Sequence, residues 1–375
     1  MPSRKNFFLG ARRSALGAFL SFYPVTIFLL ASVFAFPGCA VWKPLSFKEG
    51  PAPRPLPDAY LHYYDYPAGD FAGRVVKEEK TESYVMKRYE IPLHLPAELS
   101  VKDPEQFRSK TEELAETDRK TANDHKLRYL NRIDFYIPRN LKPGEKRPVI
   151  LISPILGGNM VVDHFAKYYA GRGYLAALVH RKRTFWEQED GIRQIEAYLR
   201  TSVIRLREAV DWLELQPEVD ADRIGAFGIS YGAILHSVLA AVEPRIKYHV
   251  LAMPAAPVAD VIVHCPDKAI TKLMREVHEK YGWPPEEVRS KLKEELRTDP
   301  LYVAPYVDRE KIQVYAALFD RVVGAGRSFQ LWKALGRPEL RILPFGHYGG
   351  ILLLPYLEAA SYSSFKKHLH QNGRG

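Results

Sequence analysis

The sequence predicts an α/β fold with a mostly parallel central sheet that carries helices on both faces. Two observations predict this architecture. Between residues 130 and 343, apolar segments of strand length alternate with longer segments of helical periodicity, an order typical of parallel sheets whose crossovers are helices. One strand-like segment also runs through Gly228-Ile229-Ser230-Tyr231-Gly232 directly into a helix-like segment, which indicates a sharp turn at one end of the sheet.

The individual elements follow from apolar runs, alternation and helical periodicity. Strands are predicted at residues 83–91, 130–138, 147–152, 174–179, 223–229, 248–253, 311–319 and 340–343. Helices are predicted at residues 102–126, 161–170, 192–213, 231–239, 268–281 and 285–297. A loop is predicted at residues 217–222, directly before the strand that leads to the sharp turn.

These elements divide the chain into four segments. Residues 1–40 are predicted to be an export signal or membrane anchor, and the proline-rich residues 41–58 a stiff, extended tether. Residues 59–129 form an N-terminal extension of unassigned role, and residues 130–371 form the main domain. Residues 258–302 break the regular alternation and are predicted to be an insertion in that domain.

Composition excludes several functional classes. The 375 residues carry a net charge of +10, and four of these charges lie in the leader at Arg4, Lys5, Arg12 and Arg13. The remaining excess is mixed with acidic residues and forms no basic stripe interleaved with aromatics, so no nucleic-acid partner is expected. Two cysteines, at positions 39 and 265, give no disulfide framework and no metal-ligand spacing. No metal site is predicted, no organic cofactor is expected, and the oligomeric state stays open.

The leader has the order of an export signal, with basic residues, an apolar run and then small residues. Its apolar run, roughly residues 15–36, exceeds an ordinary signal core and approaches the length that spans a bilayer. Gly38-Cys39 resembles the end of a bacterial lipoprotein signal, with Cys39 as the lipidated residue. Lipidation, an uncleaved anchor and cleavage near Ala40 are the three alternatives. A membrane-anchored protein of the cell envelope is expected ahead of a free periplasmic or secreted one.

The sharp turn identifies Ser230 as a candidate nucleophile. A strand–turn–helix context holds the serine in a strained conformation that directs its hydroxyl away from the sheet. Gly228 and Gly232 are expected where a side chain would collide with the neighbouring backbone. The N-terminus of the following helix favours negative charge beside the hydroxyl. A five-residue motif also arises by chance, so an acid and a histidine are needed to support this interpretation.

Two later strands supply such residues. Asp320 follows the strand at 311–319, and His347 lies in the glycine-rich loop after the last strand. Because the carboxyl ends of parallel strands meet at one edge of a sheet, Ser230, Asp320 and His347 are expected to converge. Asp260, which follows the strand at 248–253, is the competing acid.

Three other histidines lie near the motifs, namely His180, His236 and His264. His236 is on the helix that follows Ser230 and is expected to point into the core. Cys265 is expected to be a buried thiol or to lie in the insertion, and is not expected to act as the nucleophile.

From these motifs the chain resembles the α/β-hydrolase family over roughly residues 130–370. The resemblance implies a Ser–Asp–His triad of Ser230, Asp320 and His347, in the chain order of that family. It also implies an oxyanion hole made by the amides of Tyr231 and of Leu156 in the segment LISPILGGN, which on its own is equally typical of a strand-ending turn. The insertion at residues 258–302 corresponds to a helical lid. Its residues Met274, Tyr281 and Trp283 either line a pocket or, the preferred interpretation, belong to the core.

The resemblance implies a carboxylic-ester hydrolase that works through an acyl-enzyme on a small-molecule ester, similar to dienelactone hydrolases and acetyl esterases. Two alternatives stay open. One is a serine peptidase or amidase of prolyl-oligopeptidase type, although no propeller-sized domain precedes the fold. The other is an inactive, envelope-anchored binding protein built on a hydrolase fold.

Overall fold

The computed structural model describes residues 44–47, 50–182 and 191–370. The predicted leader at residues 1–40, with the candidate lipidation residue Cys39, lies outside the described residues, and so does the start of the predicted tether. Within the described ranges, no helix has the length and apolar character required to cross a bilayer.

Within the described residues, nine strands form one sheet in the order β1-β2-β3-β5-β4-β6-β7-β8-β9. The strands are β1 Arg74–Lys80, β2 Tyr84–Pro92, β3 Leu130–Pro138, β4 Arg147–Ile152, β5 Leu175–Val179, β6 Val219–Ile229, β7 Ile246–Ala252, β8 Ile312–Ala317 and β9 Glu339–Leu343. All neighbouring pairs from β5 to β9 are parallel, whereas β1, β2 and β3 are antiparallel to their neighbours. The prediction of a mostly parallel sheet is confirmed.

The helices cover both faces of the sheet. They are α1 Asp58–His62, α2 Pro104–Thr117, α3 Arg119–Lys126, α4 Met160–Ala170, α5 Arg193–Glu214, α6 Tyr231–Val242, α7 Val258–His264, α8 Lys268–Tyr281, α9 Pro285–Glu295, α10 Pro300–Val303, α11 Ala325–Ala334 and α12 Leu354–His370. Along β4, Val149 and Leu151 belong to the apolar cluster that contains α5 and α6 residues, while Ile150 and Ile152 belong to the one that contains α4 and α12 residues. Alternating side chains of a buried strand thus fill two separate cores.

The strand that leads to Ser230 begins earlier than its sequence suggests. Residues 217–222 were expected to form a loop, but β6 already starts at Val219 and pairs there with Arg147. The register then shifts before Val149 pairs with Ile224. The charged residues between these two pairings gave the segment its loop-like composition, and the long-range pairing with β4 overrides that local signal.

The N-terminal extension contributes two strands to the sheet. β2 pairs with β3 along its full length, and β1 forms an edge at which all seven residues are exposed. The charged stretch predicted as one helix forms two, α2 and α3, because Asp118 ends the first and caps the second by accepting hydrogen bonds from the amides of Lys120 and Thr121.

The described part of the predicted tether lies on the surface of the domain. Leu45 forms an antiparallel bridge with Leu340 of β9, and the Phe47 ring packs edge-on against Trp332, with ring centroids 5.0 Å apart. These contacts hold residues 44–47 against the last strand and α11.

Residues 258–303 lie between β7 and β8 and form four helices, α7 to α10. The predicted bounds of α8 agree with the observed helix, which is capped by Asp267 at its start and ends at Gly282 in the left-handed conformation. α7 packs against α9 through the ion pair of Asp260 with Arg289. This segment brings several apolar side chains to the carboxyl edge of the sheet.

Candidate active site

Ser230 lies at the sharp turn between β6 and α6, in a strained backbone conformation with φ 54° and ψ −117°. Such a positive φ is costly for a residue with a side chain and persists only where the surroundings enforce it. The Ser230 amide donates to the carbonyl of Ala252 at 2.8 Å, and the Ser230 carbonyl accepts from the amide of Ile234 at 3.0 Å. The turn is therefore fixed between the end of β7 and the first turn of α6.

The two glycines of the turn lie at close backbone approaches. A methyl group on Gly228 would be 2.5 Å from the carbonyl carbon and oxygen of Gly232. A methyl group on Gly232 would lie 3.0 Å from the carbonyl oxygen of Ser153, at the start of the loop after β4. The helix can therefore begin directly behind Ser230 only because these two positions have no side chain.

The half-buried His347 pairs with the buried Asp320 at the same edge of the sheet. Nδ1 of His347 lies 2.8 Å from Oδ2 of Asp320, which leaves the opposite ring nitrogen, Nε2, for another partner. Oδ1 of Asp320 accepts from the amides of Val322 and Val323 at 2.8 and 3.0 Å. Burial by itself raises the pKa of Asp320, but the hydrogen bonds from His347 and these two amides outweigh it and leave the pKa below its ordinary value.

Ser230 and His347 line one cavity of about 180 Å³. Its wall is mostly aliphatic and comes from the loop after β4, from α5 and α6, and from the segment that follows β7. The apolar residues of that wall include Ile155, Leu156, Ile195, Leu199, Ile234, Met253, Val258, Val261, Ile262, Ile270, Val322 and Val323. Asp267 and Tyr348 supply polar groups, and the Tyr348 hydroxyl lies 3.4 Å from Oδ2 of Asp267.

The two residues assigned to the oxyanion hole both line this cavity. Tyr231 is the first residue of α6, where backbone N–H groups have no partner within the helix. Leu156 lies in the loop formed by residues 154–159, hereafter the oxyanion loop, which turns back through a hydrogen bond from the amide of Gly158 to the carbonyl of Ile155 at 3.2 Å.

The competing candidates have other partners. Both carboxylate oxygens of Asp260 bind Arg289, at 2.5 and 3.0 Å. Nε2 of His180 lies 2.9 Å from Asp134, and His264 Nδ1 lies 2.8 Å from the carbonyl of Asp260. His236 is fully buried, as expected for a residue pointing into the core.

The remaining predicted positions divide between cavity and core. Cys265 is buried, and its side chain contributes to the cavity wall. Met274, Tyr281 and Trp283 pack against the apolar cluster, and the rings of Tyr281 and Trp283 stack with centroids 4.4 Å apart. Among the described residues, no cluster of three or more His, Cys, Asp or Glu side chains has an arrangement suited to a metal ion.

One residue beside the site had not been singled out from the sequence. Arg181, two residues beyond the end of β5, donates from its guanidinium to the carbonyls of Ile155 and Leu156 in the oxyanion loop. Its position after a buried strand was the available signal, because side chains at the carboxyl ends of parallel strands reach the site edge.

The strained serine turn, the mostly parallel sheet and the paired acid and histidine define an α/β hydrolase. A family model described as X-Pro dipeptidyl-peptidase (S15 family) matches residues 105–295, just over half of the chain. The chain belongs to this family. The matched range includes Ser230 and ends before Asp320 and His347.

Solved structures with the same fold include two acetyl xylan esterases. Acetyl xylan esterase 1 from Thermoanaerobacterium sp. JW/SL YS485 is 15% identical, with a TM-score of 0.55, over 83% of this chain and 95% of that one. The acetyl xylan esterase from Paenibacillus sp. R4 is 15% identical, with a TM-score of 0.56, over 83% of this chain and 92% of that one. At this identity the likeness establishes the fold alone.

One curated relative aligns with part of the sequence. The polyketide transferase claH of Penicillium crustosum is 28% identical over 138 residues, which is 36% of this chain. The match spans 44% of that relative, less than half of its length.

Proposed function

We propose that the protein hydrolyses carboxylic esters through an acyl-enzyme on Ser230. The observation that carries this proposal is that Ser230 and His347 line one cavity while Nδ1 of His347 pairs with the buried Asp320. A histidine held through Nδ1 by a carboxylate has the tautomer in which Nε2 can accept a proton from a hydroxyl. Three groups that are distant in the sequence thus have the roles of nucleophile, base and orienting acid.

The reaction proceeds in two steps. Nε2 of His347 takes the proton of Ser230 as Oγ attacks the ester carbonyl, and the resulting tetrahedral intermediate expels the alcohol, which receives that proton. His347 then takes a proton from water, which attacks the acyl carbon. The bond from that carbon to Ser230 Oγ breaks, Oγ receives the proton from His347, and the carboxylic acid is released. Asp320 stays ionised throughout and stabilises the imidazolium, in keeping with its lowered pKa.

The amides of Tyr231 and Leu156 are the proposed oxyanion donors. Both residues line the cavity with Ser230, and the Tyr231 amide is one of the unpaired donors at the N-terminus of α6. Donors fixed in advance around the developing negative charge lower the barrier more than flexible ones.

The cavity wall favours an ester with an apolar acyl group of limited length. Aliphatic side chains make up most of the wall, and the volume is about 180 Å³. An engineered apolar cavity of about 150 Å³ accommodates benzene, so an acyl group of roughly six carbons is the expected upper size. For esters with much longer acyl groups, part of the acyl group would have to stay outside the cavity.

A second candidate is cleavage of X-Pro amide bonds, which the family match favours. A dipeptidyl-peptidase must hold the ammonium group of its substrate, and Asp267 is the carboxylate on the cavity wall. However, Oδ1 of Asp267 already accepts from the Ala269 amide at the start of α8, and Oδ2 lies 3.4 Å from the Tyr348 hydroxyl. These contacts leave Asp267 less suited to an ammonium and make the ester the preferred substrate.

The test compares two substrate series on the full-length chain and on its Ser230→Ala variant. The series are p-nitrophenyl acetate, butyrate, hexanoate and dodecanoate, and the p-nitroanilides of Gly-Pro and Ala-Pro. We expect turnover of the shorter esters, a decline at dodecanoate, and no turnover by Ser230→Ala at unchanged thermal stability. Preferred cleavage of the anilides would establish the peptidase instead, and turnover by the folded Ser230→Ala variant would exclude Ser230 as nucleophile.

We also propose that residues 258–302 act as a lid and that the leader anchors the protein at the cell envelope. Val258, Val261 and Ile262 of α7 and Ile270 of α8 supply part of the cavity wall, which supports a role in substrate selection. The envelope location rests on the leader sequence alone. Labelling by radioactive palmitate that is lost in Cys39→Ala would support the lipidated form.

A further inference from the structure

The guanidinium of Arg181 binds the oxyanion loop through two of its backbone carbonyls. Nε of Arg181 donates to the carbonyl of Ile155 at 3.0 Å, and a terminal nitrogen donates to the carbonyl of Leu156. The Ile155 carbonyl also accepts from the amide of Gly158 at 3.2 Å. Two successive peptide groups of the loop are therefore fixed by one planar cation.

The direction of the Leu156 amide follows from this contact. In a trans peptide the C=O and N–H groups point in opposite directions within one plane. Because Arg181 holds the carbonyl of Ile155, the N–H of Leu156 in the same peptide group points away from the guanidinium. Ile155 and Leu156 line the cavity that contains Ser230, so the contact with Arg181 fixes the orientation of an amide in the cavity wall.

Arg181 is itself held by neighbours that connect it to the second donor. A terminal nitrogen donates to the Tyr198 hydroxyl at 3.2 Å and to the carbonyl of Lys182 at 2.9 Å. The Tyr198 hydroxyl donates to the same Lys182 carbonyl at 2.9 Å. The guanidinium carbon also lies 5.9 Å from the ring centre of Tyr231, within the range of a cation–π contact.

We propose that Arg181 is a positioning residue that orients the oxyanion loop, and that it acts on catalysis through the Leu156 amide without touching the substrate. This inference rests on the proposed ester hydrolysis at Ser230. Arginine suits the role because its planar fork of five donors binds two carbonyls at once, whereas lysine offers a single point charge. The interaction is pre-formed, so the loop needs no rearrangement when negative charge develops.

The test compares Arg181→Ala and Arg181→Lys with the control Arg147→Ala. Arg147 also binds two backbone carbonyls, those of Asn140 and Gly173, each at 3.2 Å, but it does so at the start of β4, the opposite edge of the sheet. The measurements are kcat and KM on p-nitrophenyl butyrate, the rate at which a fluorophosphonate labels Ser230, and the thermal midpoint. The reaction of Ser230 with a fluorophosphonate also develops negative charge on an oxygen at the oxyanion hole. The labelling rate therefore depends on the same donor, the Leu156 amide.

For Arg181→Ala we expect kcat and the labelling rate to fall together by roughly 10- to 100-fold at little changed KM, less than the ~10²–10³ of a lost donor. Arg181→Lys should lie between this variant and the wild type. Guanidinium ion at non-denaturing concentration should restore part of the activity of Arg181→Ala. Arg147→Ala should have the kcat of the wild type, and guanidinium ion should not raise it.

Wild-type kcat in folded Arg181→Ala would overturn the positioning role, and so would equal losses in Arg181→Ala and Arg147→Ala. If Arg181→Ala does not fold, a wild-type kcat in Arg181→Lys would overturn the positioning role instead. The proposed function is tested separately by Ser230→Ala, because an inactive Ser230→Ala beside a fully active Arg181→Ala refutes only the role of Arg181.

Discussion

Ser153 and His236 form a serine–histidine pair beneath the turn that holds Ser230. The Ser153 hydroxyl lies 2.9 Å from Nε2 of His236, and neither residue has any exposed surface. Burial lowers the pKa of His236 to about 3, so its ring is neutral at physiological pH. The pair joins the end of β4 to α6 and has no access to a substrate, which makes it a structural hydrogen bond.

We therefore expect Ser153→Ala to keep the catalytic chemistry and lose stability. Removal of the hydroxyl leaves a buried nitrogen of His236 without its partner, at a cost of about 1–3 kcal/mol. Fluorophosphonate labelling should proceed at the wild-type rate, while urea unfolding should report the loss. Abolished labelling in a folded Ser153→Ala protein would contradict the assignment of the nucleophile to Ser230.

Gly228→Ala should disrupt the turn and with it the position of Ser230. The added methyl group would meet the backbone of Gly232 at 2.5 Å, and a backbone cannot give way as a flexible side chain does. We expect a loss of ester turnover of at least 10²-fold, in line with a displaced reacting group, together with a lower thermal midpoint. The matched control is Gly326→Ala in α11, where a methyl group meets nothing within 4 Å. That variant should be fully active and as stable as the wild type or slightly more so.

Asp320→Asn and Asp260→Asn should show which of the two carboxylates orients His347. Loss of the carboxylate allows the wrong tautomer of His347, and kcat should fall by roughly 10⁴-fold, the order known for this change in chymotrypsin-like triads. Asp260→Asn breaks the ion pair with Arg289 instead and should leave kcat unchanged. A larger loss of kcat in Asp260→Asn than in Asp320→Asn would reverse the assignment.

Comparison of Asp320→Asn with the wild type also tests the pH dependence of stability. The pKa of Asp320 is lower in the folded protein than its ordinary value, so its contribution is present above about pH 4 and is lost as the pH falls through the folded pKa. The difference in unfolding free energy between wild type and Asp320→Asn should therefore be largest near neutral pH and shrink in acid. Urea unfolding across this range measures it.

Local sequence signals were sufficient for most of the scaffold. The predicted bounds of β3, β4 and α8 agree with the structure because each segment has a strong apolar or helical period between clear end signals. The expected meeting of Asp320 and His347 followed from strand order, since both residues come after neighbouring strands of one sheet.

Other features depend on contacts between distant parts of the chain. The start of β6 is stabilised by its pairing with Arg147, and the charged strand β1 by its pairing with β2. Arg181 has no local motif, because its partners, the carbonyls of Ile155 and Leu156, precede it by more than 20 residues. Such positions become visible only when the fold brings them together.

Ser230, Asp320 and His347 follow strands β6, β8 and β9, whereas part of the cavity wall comes from the helices between β7 and β8. The proposed lid and the proposed reacting groups thus lie in separate stretches of sequence. Substitutions in residues 258–303 are therefore expected to change which esters enter the cavity without displacing Ser230, Asp320 or His347.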